Sequence, residues 1–483
     1  MKQAAGMVFN PEGGRLAPGV PIPGKALQRF KPEAASPRRA PVWPIDIFQP
    51  GAAKERLTRA PKLATLFHNP LQHLILSKES IMRRTLLLIA LFFSVSLHAQ
   101  KFDGLALTPP MGWNSWNKIG CEVNEGVIRA AADAMVASGM QAAGYRYIVI
   151  DDCWHGQRDG DGFIQADPVH FPSGMKALAD YVHARGLKFG IYSDAGWTTC
   201  AGRPGSRGYE YQDALQYSRW GVDYLKYDWC ATGDLNAREA YTTMREALRK
   251  AGRPVVFSLC EWGSNQPWLW AREVGHLWRT TGDISVVFDG MVDHGSWKSL
   301  GVMQILDLQE GLRVHAGPDH WNDPDMMEVG NGMSVAEDRA HFSMWCMLAA
   351  PLMAGNDLGA MTPETREILT NAEAIAVDQD ALGIQGLKYL ALDSLEVWFK
   401  PLVDGEWAVC FLNRSKLPKK VAFDWKSHKI QDELSGRTID FSASQWKIRD
   451  LWAHRETGTT RKTFAADIPS HDVRMLRLSA VRK

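Results

Sequence analysis

The sequence predicts a parallel (β/α)8 barrel followed by a smaller antiparallel β-sandwich. Between about residues 104 and 360 one pattern recurs: a short apolar, β-rich run ends in polar or aromatic residues, and a loop and a helical stretch follow. Eight such units over about 260 residues match a barrel of this kind in count and size. Past about residue 383 the segments become short, β-rich and separated by Gly, Asp, Lys and Ser turns, which reads as an antiparallel sandwich. A doubly wound open sheet is the rival, but no Gly-x-Gly-x-x-Gly follows the first strand and eight units is many for it.

Residues 1–81 hold 11 of the 25 prolines, no cysteine and little periodicity. Residues 82–99 then carry Met82, two arginines, an apolar run from Leu86 to Leu97, and Ala99. That is the charged, apolar and small-residue order of a secretory signal peptide. The run is shorter than the roughly 20 residues a spanning helix needs. Because signal peptides stand at the N-terminus, translation is expected to start at Met82, leaving residues 1–81 as a non-native or disordered extension. A cytoplasmic tail on a membrane-anchored protein is the alternative. In either case the folded part is exported; on the signal-peptide reading it is secreted or periplasmic, with no membrane contact after signal cleavage.

The barrel is expected over residues 104–382. Its eight run ends are PMGWNSW (110–116), YRYIVIDDCW (145–154), KFGIYSDAG (188–196), VDYLKYDWC (222–230), PVVFSLCEW (254–262), HLWRTTGD (276–283), HWNDPDM (320–326) and APLMAGNDL (350–358). Helical segments lie between them, such as NEGVIRAAADAMVASGM (124–140) and MKALADYVHARGL (175–187), the second with Gly186 as a C-cap signal. The sandwich is expected over residues 383–483, from LEVWFKPL, EWAVCFLN, KKVAFDW and VRMLRLSA.

Composition narrows the function classes. The chain is 45% hydrophobic and 23% charged, a globular profile with a sizeable core. A net charge of +1 supplies no field for nucleic acid or anionic lipid. Twelve of the nineteen tryptophans fall between Trp113 and Trp321. Most should be core, but Trp near polar strand ends also suits stacking on sugar rings. All seven cysteines lie beyond the expected cleavage point, so disulfides are plausible. An odd count leaves at least one thiol free, and no CxxC pair or His/Cys spacing suggests zinc. Nothing specifies an oligomeric state.

Catalytic groups of such a barrel come from the C-terminal ends of several strands. The polar residues there are Trp116, Asp151, Asp152, Tyr192, Asp194, Lys226, Asp228, Glu261, Arg279, Asp283, Asp323 and Asp325. Many carboxylates with one Lys and one Arg among tryptophans suit a neutral, hydroxyl-rich ligand. Two carboxylates can also cleave a glycoside, one protonating the leaving oxygen and one attacking the anomeric carbon or activating water. Lys226, Asp228 and Cys230 alternate and so share a strand face. Lys226 should favour ionised Asp228, which makes Asp228 the nucleophile and Asp283 the acid. Arg279 is expected to clamp the sugar rather than neutralise Asp283.

Each of these positions has a structural alternative. A lone Asp after a strand is more often a helix N-cap or turn former. Asp194 and Asp323 fit that role, and Glu261 fits a buried ion-pair partner. At least six of the eight run ends carry an acidic residue, which capping alone does not require. Asp151, Asp152 and His155 could begin a metal site, but no HxH pattern accompanies them and no metal or organic cofactor is expected. The sequon at Asn413-Arg414-Ser415 reads as chance.

In order, LTPPMGWNSWN, YIVIDDCW, GIYSDAG, YLKYDWC, SLCEW, WRTTGD and WNDPDM resemble glycoside hydrolase family 27, the α-galactosidases and α-N-acetylgalactosaminidases. The resemblance covers about residues 104–480, including IRDLWAHR (448–455). It implies a retaining double displacement with Asp228 as nucleophile and Asp283 as acid/base. It also implies galactose contacts from Trp116, Asp151, Asp152, Tyr192, Lys226, Glu261, Arg279 and Asp325. Asp151 and Asp152 would read the axial 4-hydroxyl and the 6-hydroxyl, and Glu261 would lie near the 2-hydroxyl and favour galactose. Disulfides Cys121–Cys153 and Cys200–Cys230 are implied, leaving Cys260, Cys346 and Cys410 unpaired. The expected partner is a carbohydrate bearing terminal α-galactose. Alternatives are a β-L-arabinopyranosidase, an α-N-acetylgalactosaminidase, and a non-catalytic galactose-binding barrel.

Overall fold

The computed structural model describes residues 101–481. The extension at 1–81 and the signal segment at 82–99 lie outside the described residues. Eight parallel strands curl around one axis: β1 (Met111–Asn114), β2 (Tyr147–Val149), β3 (Lys188–Asp194), β4 (Tyr224–Asp228), β5 (Val256–Cys260), β6 (Leu277–Arg279), β7 (Trp321–Asp323) and β8 (Leu352–Ala354). Their order is β7-β6-β5-β4-β3-β2-β1-β8. Closure between β7 and β8 runs through Met327, whose N–H donates to Met353 O at 2.7 Å and whose carbonyl accepts from Gly355 N at 3.1 Å. All eight expected runs are barrel strands.

The strands are short because each is buried on both faces and needs only a few apolar residues to cross the barrel. Helix α1 (Glu125–Ala137) starts where the Asn124 side chain accepts from Val127 N, and it buries Ile128, Ala131, Ala132 and Met135 at helical spacing. Helix α2 (Gly174–His183) ends earlier than Gly186 suggested. Ala184 is the cap, and Gly186 instead serves the following turn at φ +71°, leading into β3. That left-handed conformation is one glycine adopts without strain.

A six-stranded antiparallel sheet follows, built from 387–392, 395–401, 407–413, 473–480, 446–450 and 455–459. Hairpins 429–432/437–440 and the pair 419–423/464–468 face it across a core of Phe399, Trp407, Phe411, Phe423, Trp425 and Phe441. Within this sandwich Asn413 is fully buried and its amide donates to Leu417 O, Ile468 O and Pro469 O, so the sequon offers no accessible nitrogen. The barrel helix Val335–Leu348 packs on the sandwich: Lys400 Nζ donates to Cys346 O at 2.9 Å and Arg339 pairs with Asp472 at 2.5 Å. Among the described residues no helix is long and apolar enough to cross a membrane.

Candidate active site

Parallel register brings the strand ends together. Asp194 of β3 lies beside Asp228 of β4, which lies beside Cys260 of β5; Tyr192 lies beside Lys226 and Lys226 beside Ser258. Residues at alternate positions therefore present one ring of side chains at the C-terminal mouth. They open into a cavity of about 250 Å³ lined by Trp116, Asp151, Asp152, Tyr192, Lys226, Asp228, Arg279, Asp283 and Asp325.

Asp228 is 6% exposed. Its Oδ1 accepts from Trp229 N at 3.0 Å and its Oδ2 from the Tyr192 hydroxyl at 3.0 Å. Burial pushes its carboxyl up, to about 6; the Lys226 charge opposes this and the Asp283 charge adds to it. Lys226 does not touch Asp228 first. Its Nζ lies 2.7 Å from Asp151 Oδ2, which also accepts from Asn114 Nδ2 at 2.7 Å. Burial disfavours the ammonium, but the Asp151 carboxylate, with Asp228 nearby, outweighs it and holds Lys226 well above the usual range.

Asp152 is 1% exposed and accepts from Cys153 N and Ala201 N; burial raises its carboxyl. Disulfides Cys121–Cys153 and Cys200–Cys230 flank the site, and Cys200 Sγ lies 3.5 Å from Asp228 Oδ2. Cys260, Cys346 and Cys410 are buried free thiols.

Arg279 departs from expectation. Its Nη2 reaches both Asp325 Oδ2 at 2.7 Å and Asp283 Oδ1 at 3.0 Å. A guanidinium this buried needs carboxylate partners, so it pairs with Asp283 instead of standing free of it. The Asp283 side chain is still 42% exposed, facing the open side of the cavity. Asp325 has φ +94° and Trp262 φ +58°, left-handed conformations that cost strain outside glycine and gather at functional sites.

Residues 108–380 match the family model described as Alpha galactosidase A, and residues 392–478 that of the alpha galactosidase C-terminal beta sandwich domain. The chain belongs to the alpha-galactosidase A family. Alpha-galactosidase A of Cellvibrio japonicus (strain Ueda107) is 60% identical over 403 residues, 82% of this chain and all of that protein. Alpha-galactosidase I from Mortierella vinacea is 37% identical, with a TM-score of 0.74 over 79% of this chain and 100% of that one. The Saccharomyces cerevisiae alpha-galactosidase solved with raffinose is 30% identical, with a TM-score of 0.72 over 78% of this chain and 99% of that one.

Within this alpha-galactosidase A family fold, nine of the ten expected site residues line one cavity; Glu261 does not. It is fully buried, its Oε2 accepts from Asn265 N at 2.6 Å and Asn265 Nδ2 at 2.8 Å, and burial pushes its carboxyl up to about 7. Ser258, Cys260 and Trp262 follow the inward alternation of β5, so Glu261 points away and Trp262 takes the cavity wall. That alternation was readable in the sequence. Asp194 and Asp323 also lie outside this cavity. Asp194 accepts from Gly196 N at 2.6 Å and Cys230 N at 2.9 Å, and Asp323 from Asp325 N at 2.9 Å, both as turn formers. Further lining residues, Asn117, Glu328, His294, Trp297 and Ser299, lie beyond the strand ends and carried no periodic signal.

Proposed function

We propose that this protein is an exported, retaining α-galactosidase that removes terminal α-linked galactose by double displacement. The supporting observation is the division of labour between two carboxylates in one cavity. Asp228 is buried between Tyr192 and the Lys226 charge, and Asp283 stands at the open side on Arg279. An Asp228 oxygen attacks the anomeric carbon while the bond to the leaving oxygen breaks and Asp283 protonates that oxygen. Asp283 then takes a proton from water, the water oxygen displaces Asp228, and α-galactose leaves. Protons and electrons balance within the two carboxylates and water.

The acidic pair Asp151–Asp152 supports a sugar carrying both a 4-hydroxyl and a 6-hydroxyl over an arabinopyranoside. Trp262, a bulky wall after β5, supports galactose over its N-acetylated analogue. Two disulfides and the apolar segment at 82–99 support export; mass spectrometry of secreted material should begin at Gln100, and a chain retaining residues 1–81 would contradict it. Hydrolysis of p-nitrophenyl α-D-galactopyranoside followed by proton NMR tests the chemistry. Initial α-galactose is expected; no turnover, or β-galactose first, would overturn the reading.

A further inference from the structure

A two-stranded hairpin, Met291–Asp293 paired antiparallel with Lys298–Leu300, rises from the connection between β6 and β7. Its base is tied to Asp283: Leu300 N donates to the Asp283 carbonyl at 2.8 Å, and Ser285 N to Leu300 O at 2.8 Å. Gly301 N donates to Gly290 O at 2.8 Å and Val302 N to Val287 O at 3.0 Å, so the base is held on both sides. The tip carries His294 and Trp297, stacked with ring centroids 4.1 Å apart and planes at 17°. Ser299 Oγ lies 2.9 Å from His294 Nε2. All three residues line the cavity, and Trp297 is nevertheless 49% exposed.

An indole left half open to water contributes little to a core. Held flat by a second ring at the mouth of a polar cavity, it offers an apolar face to a ligand. The α-galactosidase reading above fixes which ligand face this is. Asp283 delivers its proton to the leaving oxygen, so the group bonded through that oxygen must lie on the Asp283 side of the galactose. The hairpin is hydrogen-bonded to Asp283 itself and lines the cavity there. We infer that the Trp297–His294 stack is the platform for the leaving group, and that it selects α-galactosides whose leaving group is a hexopyranose. The row of C–H groups on a pyranose ring packs on the Trp297 face, and the Ser285 and Ser299 hydroxyls, both in the lining, can bond its hydroxyls.

The test compares melibiose, whose leaving group is glucose, with methyl α-D-galactopyranoside, whose leaving group has no ring. Trp297→Ala should lower kcat/KM on melibiose about tenfold, the scale of losing one aromatic contact face, chiefly through KM. The methyl glycoside should change by less than about twofold, and Trp297→Phe should recover most of the melibiose activity. Equal losses on both substrates, or no loss on melibiose, would remove this subsite while leaving the α-galactosidase reading intact. A wild-type protein inert on both would remove that reading and the subsite with it.

Discussion

Asp228 is set by two opposing forces, burial that favours its neutral form and the Lys226 charge that favours its ionised form. If ionised Asp228 attacks, the acidic limb of kcat/KM should show an apparent pKa of about 6. Lys226→Met removes the cation that lowers this value, so the limb should move to higher pH, whatever the variant's overall loss of activity. A pH profile of the variant on p-nitrophenyl α-D-galactopyranoside measures this, and an unmoved limb would assign it to another group. Much of this site was legible in residue types: VDYLKYDWC announced a charged strand end, and alternation placed Lys226 and Asp228 on one face. Two details were not. Asp151 claims Lys226 across the barrel, and Arg279 reaches Asp325 of the next strand end as well as Asp283 four residues on; the two cross-strand pairs depend on register that no single strand encodes, and burial of the guanidinium draws in the local one.

At the scale of elements, the eight runs were legible because each is apolar and ends abruptly in polar residues. The hairpin at 291–300 was not: MVDHGSWKSL is largely exposed and lacks an alternating apolar face. Its strands exist because their ends are pinned at Asp283, Val287 and Gly290. The turn after β3 shows how closely neighbouring strand ends approach. A Cβ on Gly196 would meet Cys230 O and the Ala231 backbone, beside the disulfide that abuts Asp228. Gly196→Ala should cost about 2 kcal/mol in urea unfolding and lower kcat by displacing the end of β4. A variant of unchanged stability and activity would show that this approach is not tight in solution.

Across the whole molecule, one core joins barrel and sandwich. Trp398, Leu402, Cys410 and Met475 of the sandwich belong to the same apolar cluster as Phe342 and Trp345 of the barrel helix. Buried carboxyls are spread through it: burial pushes Glu261 and Asp338 to about 7 and Asp378 to about 8. Between the ordinary carboxyl value near 4 and these values the native state holds protons the unfolded chain has released, so stability falls as pH rises. Paired carboxylates such as Asp307 and Glu373 are lowered by Arg414 and Arg449; their contribution is present above about pH 4 and lost below it. The melting temperature should therefore peak in mild acid and decline toward pH 8, and a curve rising from pH 5 to pH 8 would contradict this. The strand order carries a last consequence. Since β1 pairs with both β2 and β8, its second edge waits for Leu352 to be synthesised. All the cavity's lining residues, from Trp116 to Glu328, precede β8, so during translation the groups of the cavity are complete before the strand that closes the wall behind them.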